Sequence, residues 1–200
     1  ALVKAEVLEA FGNPLGVGKE SDVYDALTPK GRKVAVKFHR LGRVSFRKTR
    51  RLRGYIAQRS HISWLYQSRL AAEKEYEALT LLYPKKVAVP EPIHQNRHTV
   101  VMGMIEGAEL AEFNEVPNPA KMLKDILVNI RRAYVKVGVI HADLSEFNII
   151  VQPRWHVLII DWPQYVTKDH PNANELLERD VRNVVQFFKR KFKTKTSTEQ

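Results

Sequence analysis

The sequence predicts an α+β fold with a strand-rich first half and a mainly helical second half. Two observations carry this prediction. Before residue 106, short apolar segments separated by glycine and proline lie on both sides of a basic stretch and one helical pattern. Two long amphipathic patterns follow residue 117, with a pair of short apolar segments between them. The connector 106–117 is the natural boundary, so we expect one lobe at 1–106 and another at 107–200.

Three strands are predicted in the first part of the chain. The first ends at the glycine-rich stretch GVGKES, and the second, DVYDAL, meets the third, RKVAVKF, across the turn TPKG. After a basic stretch with few apolar residues, a helical pattern runs from about Ser63 to Pro84, where the proline ends it. The stretch VAVPEPIHQNRHTVVMGMI predicts two further strands.

The second half contains the clearest helix signal, NPAKMLKDILVNIRRAYVKVG. Asn118 is suited to cap its start, Pro119 to its first turn and Gly138 to its end. The apolar stretches FNIIV and HVLIID then predict a hairpin. A last helix is expected to begin near Asn174.

The composition excludes several classes of protein. Of the 200 residues, 44% are apolar and 28% charged, as in ordinary globular proteins, and no apolar run reaches membrane-spanning length. No membrane partner is therefore expected. The chain has no cysteine, which excludes disulfides, thiol catalysis and cysteine-bound zinc. A cytoplasmic location is the expectation.

The net charge of +11 is concentrated in one part of the chain. Nine arginine and lysine residues and no acid lie between Phe38 and Ala72, and the stretch KRKFKTK closes the chain at 189–195. Basic clusters bind polyanions because binding releases counterions. The segment 40–59 is therefore a candidate contact for nucleic acid, with a solvated loop as the alternative.

Two features of the first half are candidate phosphate contacts. Gly16 and Gly18 lie between two strands, where a glycine turn lets backbone N–H groups approach phosphate oxygens, although an ordinary hairpin turn is the alternative. Lys37 lies in the middle of the apolar strand VAVKF, where a buried ammonium needs an anion unless the strand is an edge. The following helix offers three glutamates as partners: Glu73, Glu75 and Glu77.

The stretch VIHADLSEFNIIV places polar side chains beside an apolar strand. Asp143 and Asn148 are five residues apart, and Asp161 follows 13 residues later, at the end of the next apolar stretch. Carboxylate and amide oxygens suit Mg²⁺, and a second carboxylate could accept the proton of an attacking hydroxyl. Each residue alone is typical of a turn, whereas all of them in this order indicate phosphate chemistry.

The combined set resembles the protein-kinase signature of glycine loop, strand lysine, helix glutamate, HxDxxxxN and a strand ending in aspartate. Several positions depart from it. Ser21 replaces the third glycine, Ala142 replaces the arginine of HRD, DWP replaces DFG, and no APE follows. Only 39 residues follow Asp161, too few for a peptide-substrate platform.

These departures are similar to those of the RIO family of atypical kinases. The stretches GVGKESDVY, HADLSEFN and IDWPQ resemble the second RIO subfamily, and the resemblance runs from about Glu6 to Phe192. It implies a two-lobed protein-kinase-like fold with a β-rich N-lobe and a truncated, mainly helical C-lobe. Members of that subfamily also carry an N-terminal winged-helix domain, so this chain would correspond to the kinase core alone.

The resemblance implies a role for each matching residue. Asp143 would be the catalytic aspartate, while Asn148 and Asp161 would bind the metal. Lys37 would hold the α- and β-phosphates and pair with Glu75, with Glu73 as the alternative, and Asp180 would brace the catalytic loop. The remaining expected nucleotide contacts are Gly16, Gly18, Ser21 and Ser145, with Met104 and Ile105 at the adenine.

The resemblance also implies the activity. ATP and Mg²⁺, with Mn²⁺ as an alternative, would be the cofactors. The γ-phosphate would pass to serine, with autophosphorylation included, or to water, with Asp161 itself as another acceptor. RIO proteins act in small ribosomal subunit maturation, so the loop 40–59 would contact the subunit precursor or its rRNA. The alternatives are a nucleotide-switched binding module with slow hydrolysis, a pseudokinase scaffold and a small-molecule kinase.

Overall fold

The computed structural model describes residues 2–18, 20–40 and 64–194. The strands are β1 Ala10–Val17, β2 Ser21–Leu27, β3 Lys33–His39, β4 Pro92–Asn96, β5 Thr99–Gly103, β6 Ala108–Glu109, β7 Val139–Ile140, β8 Ile149–Val151, β9 Val157–Ile159 and β10 Val166–Thr167. The helices are α1 Trp64–Leu82, α2 Pro119–Val137 and α3 Ala173–Phe192. This is the α+β arrangement that the sequence predicts.

The chain divides into two compact units. Unit 1 consists of Ala1–Tyr76 and Pro92–Met104, and unit 2 consists of Glu77–Glu91 and Ile105–Gln200. The division falls within α1, just after Tyr76. The assignment of lobes to 1–106 and 107–200 stays a prediction.

Unit 1 is built on a five-stranded antiparallel sheet with the order β1-β2-β3-β5-β4. The central strand β3 is buried on both faces over most of its length. Val34 and Val36 on one face pack into an apolar cluster with Leu8 and Val101. Because side chains alternate along a strand, Lys37 and His39 lie together on the opposite face.

Unit 2 contains α2, and both ends of this helix are set by neighbouring residues. The Asn118 side chain accepts the N–H of Lys121 at 2.9 Å, and a proline occupies the first turn. Gly138 ends the helix at φ 80°, where its N–H donates to the carbonyls of Ala133 and Tyr134. All three terminal signals act as the sequence predicts.

Two small sheets complete unit 2. The predicted hairpin is formed by β8 and β9, to which the connector adds β6. The pair β7 and β10 was not predicted, because two residues per strand give no periodicity to read. These strands place the segment 141–148 between β7 and β8.

The basic segment 40–59 lies outside the described residues except for Arg40, whose guanidinium contacts Asp22 Oδ1 at 2.6 Å. The described part of the second basic cluster forms the last turn of α3 and the two residues after it. Within 2–18, 20–40 and 64–194, no helix combines the length and the apolar character needed to cross a bilayer.

Candidate active site

Lys37 and Glu75 form a buried ion pair in unit 1. Lys37 Nζ lies 2.8 Å from Glu75 Oε1, and both side chains are almost fully buried. Glu73 pairs instead with Arg69, at 2.7 Å and on the exposed side of α1. Of the glutamates that the sequence offers, Glu75 is therefore the one that contacts Lys37.

His39 also contacts Glu75, and the sequence reasoning missed it. His39 Nε2 lies 2.6 Å from Glu75 Oε2, and the imidazole is only 3% exposed. Burial alone would raise the pKa of Glu75, but Lys37 and His39 together outweigh it and lower that pKa to about 2. Glu75 is thus ionised and accepts only, so His39 Nε2 carries the proton and donates it.

The third glutamate candidate, Glu77, is used differently. It belongs to unit 2 and accepts a hydrogen bond from Tyr165. Burial, together with this bond and the carboxylate charge, raises the pKa of Tyr165. Glu77 therefore has a structural partner within unit 2.

The glycine-rich stretch forms the hairpin between β1 and β2. Gly16 lies opposite Val23 in the ladder, and the Gly18 N–H donates to the Ser21 carbonyl at 2.9 Å. A Cβ at Gly16 would meet no atom within 4 Å. Both glycines are exposed, so the backbone at these two positions is accessible without a side chain over it. The adenine candidates Met104 and Ile105 follow β5 and are half-buried.

His141 connects the predicted catalytic loop to the end of β9. Its Nδ1 accepts the Asp143 N–H at 3.3 Å, so its Nε2 donates to the Ile160 carbonyl at 2.9 Å. The ring also packs on Trp162, with the centroids 4.6 Å apart. The two ring nitrogens thus make both contacts, with Nδ1 as the acceptor and Nε2 as the donor.

Asn148 makes the second connection between the loop and β9. Its side-chain Nδ2 donates to the Asp143 carbonyl at 2.9 Å, and its own carbonyl accepts the Ile160 N–H at 3.0 Å. Ile160 is thereby bonded through both backbone groups, and Asp161 is the next residue. The loop bonds therefore bring the backbones of Asp143, Asn148 and Asp161 into one neighbourhood of unit 2.

Asp161 holds an uncommon backbone conformation, with φ 67°. A left-handed conformation costs free energy for a non-glycine residue, and such residues occur at turns, at helix ends and at functional sites. The neighbours fix it: Trp162 is 2% exposed and its Nε1 donates to the Ile159 carbonyl at 3.1 Å. Pro163 follows in the buried turn.

Helix α3 braces the loop from the other side. Asp180 accepts the N–H groups of Ala142 at 2.7 Å and Leu144 at 3.1 Å. Arg179 donates to the Ala142 carbonyl, and Asn183 Nδ2 donates to the Leu144 carbonyl at 3.1 Å. Burial raises the pKa of Asp180, although His141 and these N–H groups oppose the shift.

The donor set of this loop fits a hard divalent cation. The amide nitrogen of Asn148 donates to the Asp143 carbonyl, so Oδ1 is the side-chain atom of Asn148 that is suited to bind a cation. Together with the Asp161 carboxylate, this gives oxygen ligands of the kind that Mg²⁺ combines with phosphates and water. Ser145 is half-buried in the same loop, and its carbonyl accepts the Asn148 N–H at 3.0 Å.

Comparison with known proteins identifies close relatives. A family model described as the RIO domain matches residues 22–200. The RIO-type serine/threonine-protein kinase Rio2 of Methanocaldococcus jannaschii is 48% identical over 195 residues, covering 95% of this chain and 72% of that protein. The serine/threonine-protein kinase RIO2 of Caenorhabditis elegans is 44% identical over 192 residues, covering 96% of this chain and 36% of that protein.

A solved structure has the same fold. The Rio2 kinase of Chaetomium thermophilum, in an ADP/Mg²⁺-phosphoaspartate complex, matches with a TM-score of 0.82 and 39% identity. The match covers 100% of this chain and 61% of that one. The prediction of a kinase-like α+β fold is confirmed.

Proposed function

Because the chain belongs to the RIO domain family, we propose that it is an Mg²⁺-dependent serine/threonine kinase or ATPase that uses ATP. The predicted resemblance to the second RIO subfamily is confirmed by relatives that carry the name Rio2, at 48% and 44% identity. The observation that carries the proposal is the buried Lys37–Glu75 pair. An ammonium held on the central strand by an ionised glutamate is the arrangement that kinases use to position ATP phosphates.

Residues of unit 1, together with Ile105, would bind the nucleotide. Lys37 would contact the α- and β-phosphates, and the exposed backbone around Gly16, Gly18 and Ser21 would line them. The open space around Gly16, where a Cβ would meet no atom within 4 Å, supports the assignment. The adenine would contact the backbone at Met104 and Ile105.

The residues of unit 2 would hold the metal and the acceptor. Asn148 and Asp161 would bind Mg²⁺, which would neutralise phosphate charge and orient the phosphates when bound. Asp143 is exposed, and its N–H and carbonyl are fixed by His141 and Asn148. Its carboxylate would orient an attacking hydroxyl and accept its proton.

The acceptor has three candidates: a serine, this chain's own included, water, and the Asp161 carboxylate. The phosphoaspartate of the Chaetomium relative favours the third as a step of this chain's reaction. The Asp161 carboxylate oxygen would attack the γ-phosphorus, the bond to the β-phosphate oxygen would break, and ADP would leave. Water would then hydrolyse the acyl phosphate and return free phosphate and the carboxylate.

The second candidate function is a nucleotide-switched module that binds RNA. The nine basic residues without an acid between Phe38 and Ala72 favour it, because such a density of charge binds phosphate backbones. The partner would be the small ribosomal subunit precursor or its rRNA, contacted through 40–59 in the cytoplasm. Slow hydrolysis would then time the release.

The test follows the γ-phosphate of labelled ATP with Mg²⁺, in the presence and absence of small-subunit particles. Label on serine would indicate a kinase. Free phosphate whose release is stimulated by particles would indicate a switch. Base-labile label on the protein that is lost in Asp161→Asn would indicate the aspartyl intermediate. Asp143→Asn should abolish transfer to serine and release of free phosphate, while Asp169→Asn, an exposed aspartate outside the loop, should not. Equal transfer to serine or water by the parent and Asp143→Asn, or no transfer by the parent, would overturn the proposal.

A further inference from the structure

His39 is a buried titratable residue that the proposed chemistry does not use. It ends β3, two residues after Lys37, and is 3% exposed. Its backbone N–H donates to the His98 carbonyl at 2.8 Å, which fixes the strand position of the ring. Its Nε2 contacts the oxygen of Glu75 that Lys37 does not, at 2.6 Å.

The two contacts divide one carboxylate between two partners. Oε1 of Glu75 accepts a hydrogen bond from Lys37 Nζ at 2.8 Å, while Oε2 accepts one from His39 Nε2 at 2.6 Å. Glu75 is only 2% exposed, so an oxygen without a donor there would carry the full cost of desolvation. His39 therefore does more than fill space beside the helix.

The terminal torsion of a glutamate is intrinsically loose. Rotation about χ3 has a broad, roughly two-fold profile, so one contact does not fix the carboxylate plane. A lysine ammonium is also a weak orienting group because it is a compact point charge on a flexible stem. A second donor on a rigid strand supplies the missing constraint.

We propose that His39 is a positioning residue that fixes the Glu75 carboxylate so that Lys37 is held for the ATP phosphates. The inference rests on the proposed function. When Lys37 turns part of its hydrogen bonding to phosphate, Glu75 keeps its orientation through the His39 Nε2–H. The residue at this position thus supports nucleotide affinity without touching the nucleotide.

The experiment compares His39→Gln, His39→Leu and the control His94→Gln, a half-buried histidine on β4. Glutamine keeps a donor at the place of Nε2, whereas leucine has none. Affinity for Mg²⁺-ATP is measured by calorimetry, and folding by circular dichroism. We expect about a tenfold loss of affinity for leucine, from one lost charge-assisted hydrogen bond, and a loss below about threefold for glutamine.

A double-mutant cycle separates positioning from packing. His39→Leu is combined with Glu75→Gln, and the effect of the leucine should shrink to less than about twofold when the carboxylate is gone. An equal loss in both backgrounds would overturn the inference, because a packing role does not depend on the Glu75 charge. If the leucine variant does not fold, the glutamine variant decides: a tenfold loss there would also contradict it.

The outcomes distinguish this inference from the function on which it rests. A parent protein that does not bind Mg²⁺-ATP would contradict the proposed function itself. A parent that binds, with both His39 variants and the His94 control binding equally well, would contradict only the role of His39.

Discussion

Asp180 Oδ2 accepts the N–H of Ala142 at 2.7 Å, in a loop where Ala142 holds the left-handed φ of 64°. The other carboxylate oxygen accepts the Leu144 N–H at 3.1 Å. One buried side chain on α3 thus satisfies two backbone donors on either side of Asp143. The carboxylate offsets the strain of the loop and fixes the residue that would orient the acceptor.

The first prediction concerns this brace. Asp180→Asn should lower the free energy of unfolding by about 1–3 kcal/mol, because the amide offers one acceptor and turns an N–H₂ toward the second backbone N–H. Transfer of the γ-phosphate should fall as the loop loosens, while ATP affinity changes little. Urea denaturation and steady-state kinetics measure the two effects.

Glu178→Gln is the matched control for the Asp180 variant. Glu178 lies two residues earlier on α3, exposed and paired with Arg182. Its loss should cost less than about 0.5 kcal/mol, as for exposed i,i+4 pairs. Equal stability of the Asn and Gln variants would contradict the bracing role.

The second prediction concerns acid stability. The folded-state pKa of Glu75 lies at about 2, below its ordinary value of 4.5, so the folded state holds the charged form. The stability that this charge contributes is present above about pH 4.5 and is lost as the pH falls toward about 2. Asp180 has the opposite effect on the pH dependence of stability: because its pKa is raised in the folded state, protonation of this carboxyl favours the folded state as the pH falls.

The measurement is the free energy of unfolding from pH 6 down to pH 3, for the parent and for Glu75→Gln. The parent should lose stability more steeply in this range than the variant, because the variant has no carboxyl to titrate at this position. Glu73→Gln, which alters an exposed pair, should behave as the parent does. Parallel curves for the parent and Glu75→Gln would contradict an ionised, paired Glu75.

The third prediction concerns Gly107 in the connector. Its φ is 120°, and an added Cβ would overlap the carbonyl oxygen of Val151 on β8. Gly107→Ala should therefore reduce the free energy of unfolding by about 3 kcal/mol or more, from backbone strain and the clash together.

Gly31→Ala separates these two causes. Gly31 also has a positive φ, of 73°, but a Cβ there would meet nothing within 4 Å. It should cost about 1 kcal/mol, the strain alone. Thermal unfolding of both variants tests the difference, and an equal loss for the two would show that the overlap with Val151 has no effect.

Much of the fold could be predicted because its signals are local. Helix α2 begins and ends where Asn118, Pro119 and Gly138 indicate, since caps depend only on neighbouring residues. The hairpins follow from turn residues and strand alternation. The strands β7 and β10 could not be predicted, because a two-residue pairing depends on tertiary contacts.

The buried face of α3 combines apolar side chains with one carboxylate. Leu177, Val181 and Phe192, which belong to the apolar pattern of this helix, are half-buried. The buried face runs through Leu176, Asp180, Val184, Val185, Phe187 and Phe188. An apolar pattern cannot include Asp180, because its burial depends on two backbone N–H groups that lie far away in the sequence.

In the candidate site, too, the sequence motifs could be recognised, whereas the residues that contact them could not. The order of Lys37, Asp143, Asn148 and Asp161 indicated phosphate chemistry because several weak signals occur together. Side-chain alternation along β3 places His39 on the same face as Lys37, and this was the sequence signal that could have identified His39. It does not show which helix residue lies opposite, so the contact with Glu75 became visible only in the structure.

The most direct test of the account is a calorimetric titration with ATP, with and without Mg²⁺, of the parent, Lys37→Met, Asp161→Asn and the control Lys33→Met. Lys33 is the exposed first residue of β3. The account predicts Mg²⁺-dependent binding by the parent and the control, about a tenfold or greater loss for Lys37→Met, and loss of the Mg²⁺ dependence for Asp161→Asn. Parent binding that is absent, or that is unchanged in Lys37→Met and Asp161→Asn, would contradict it.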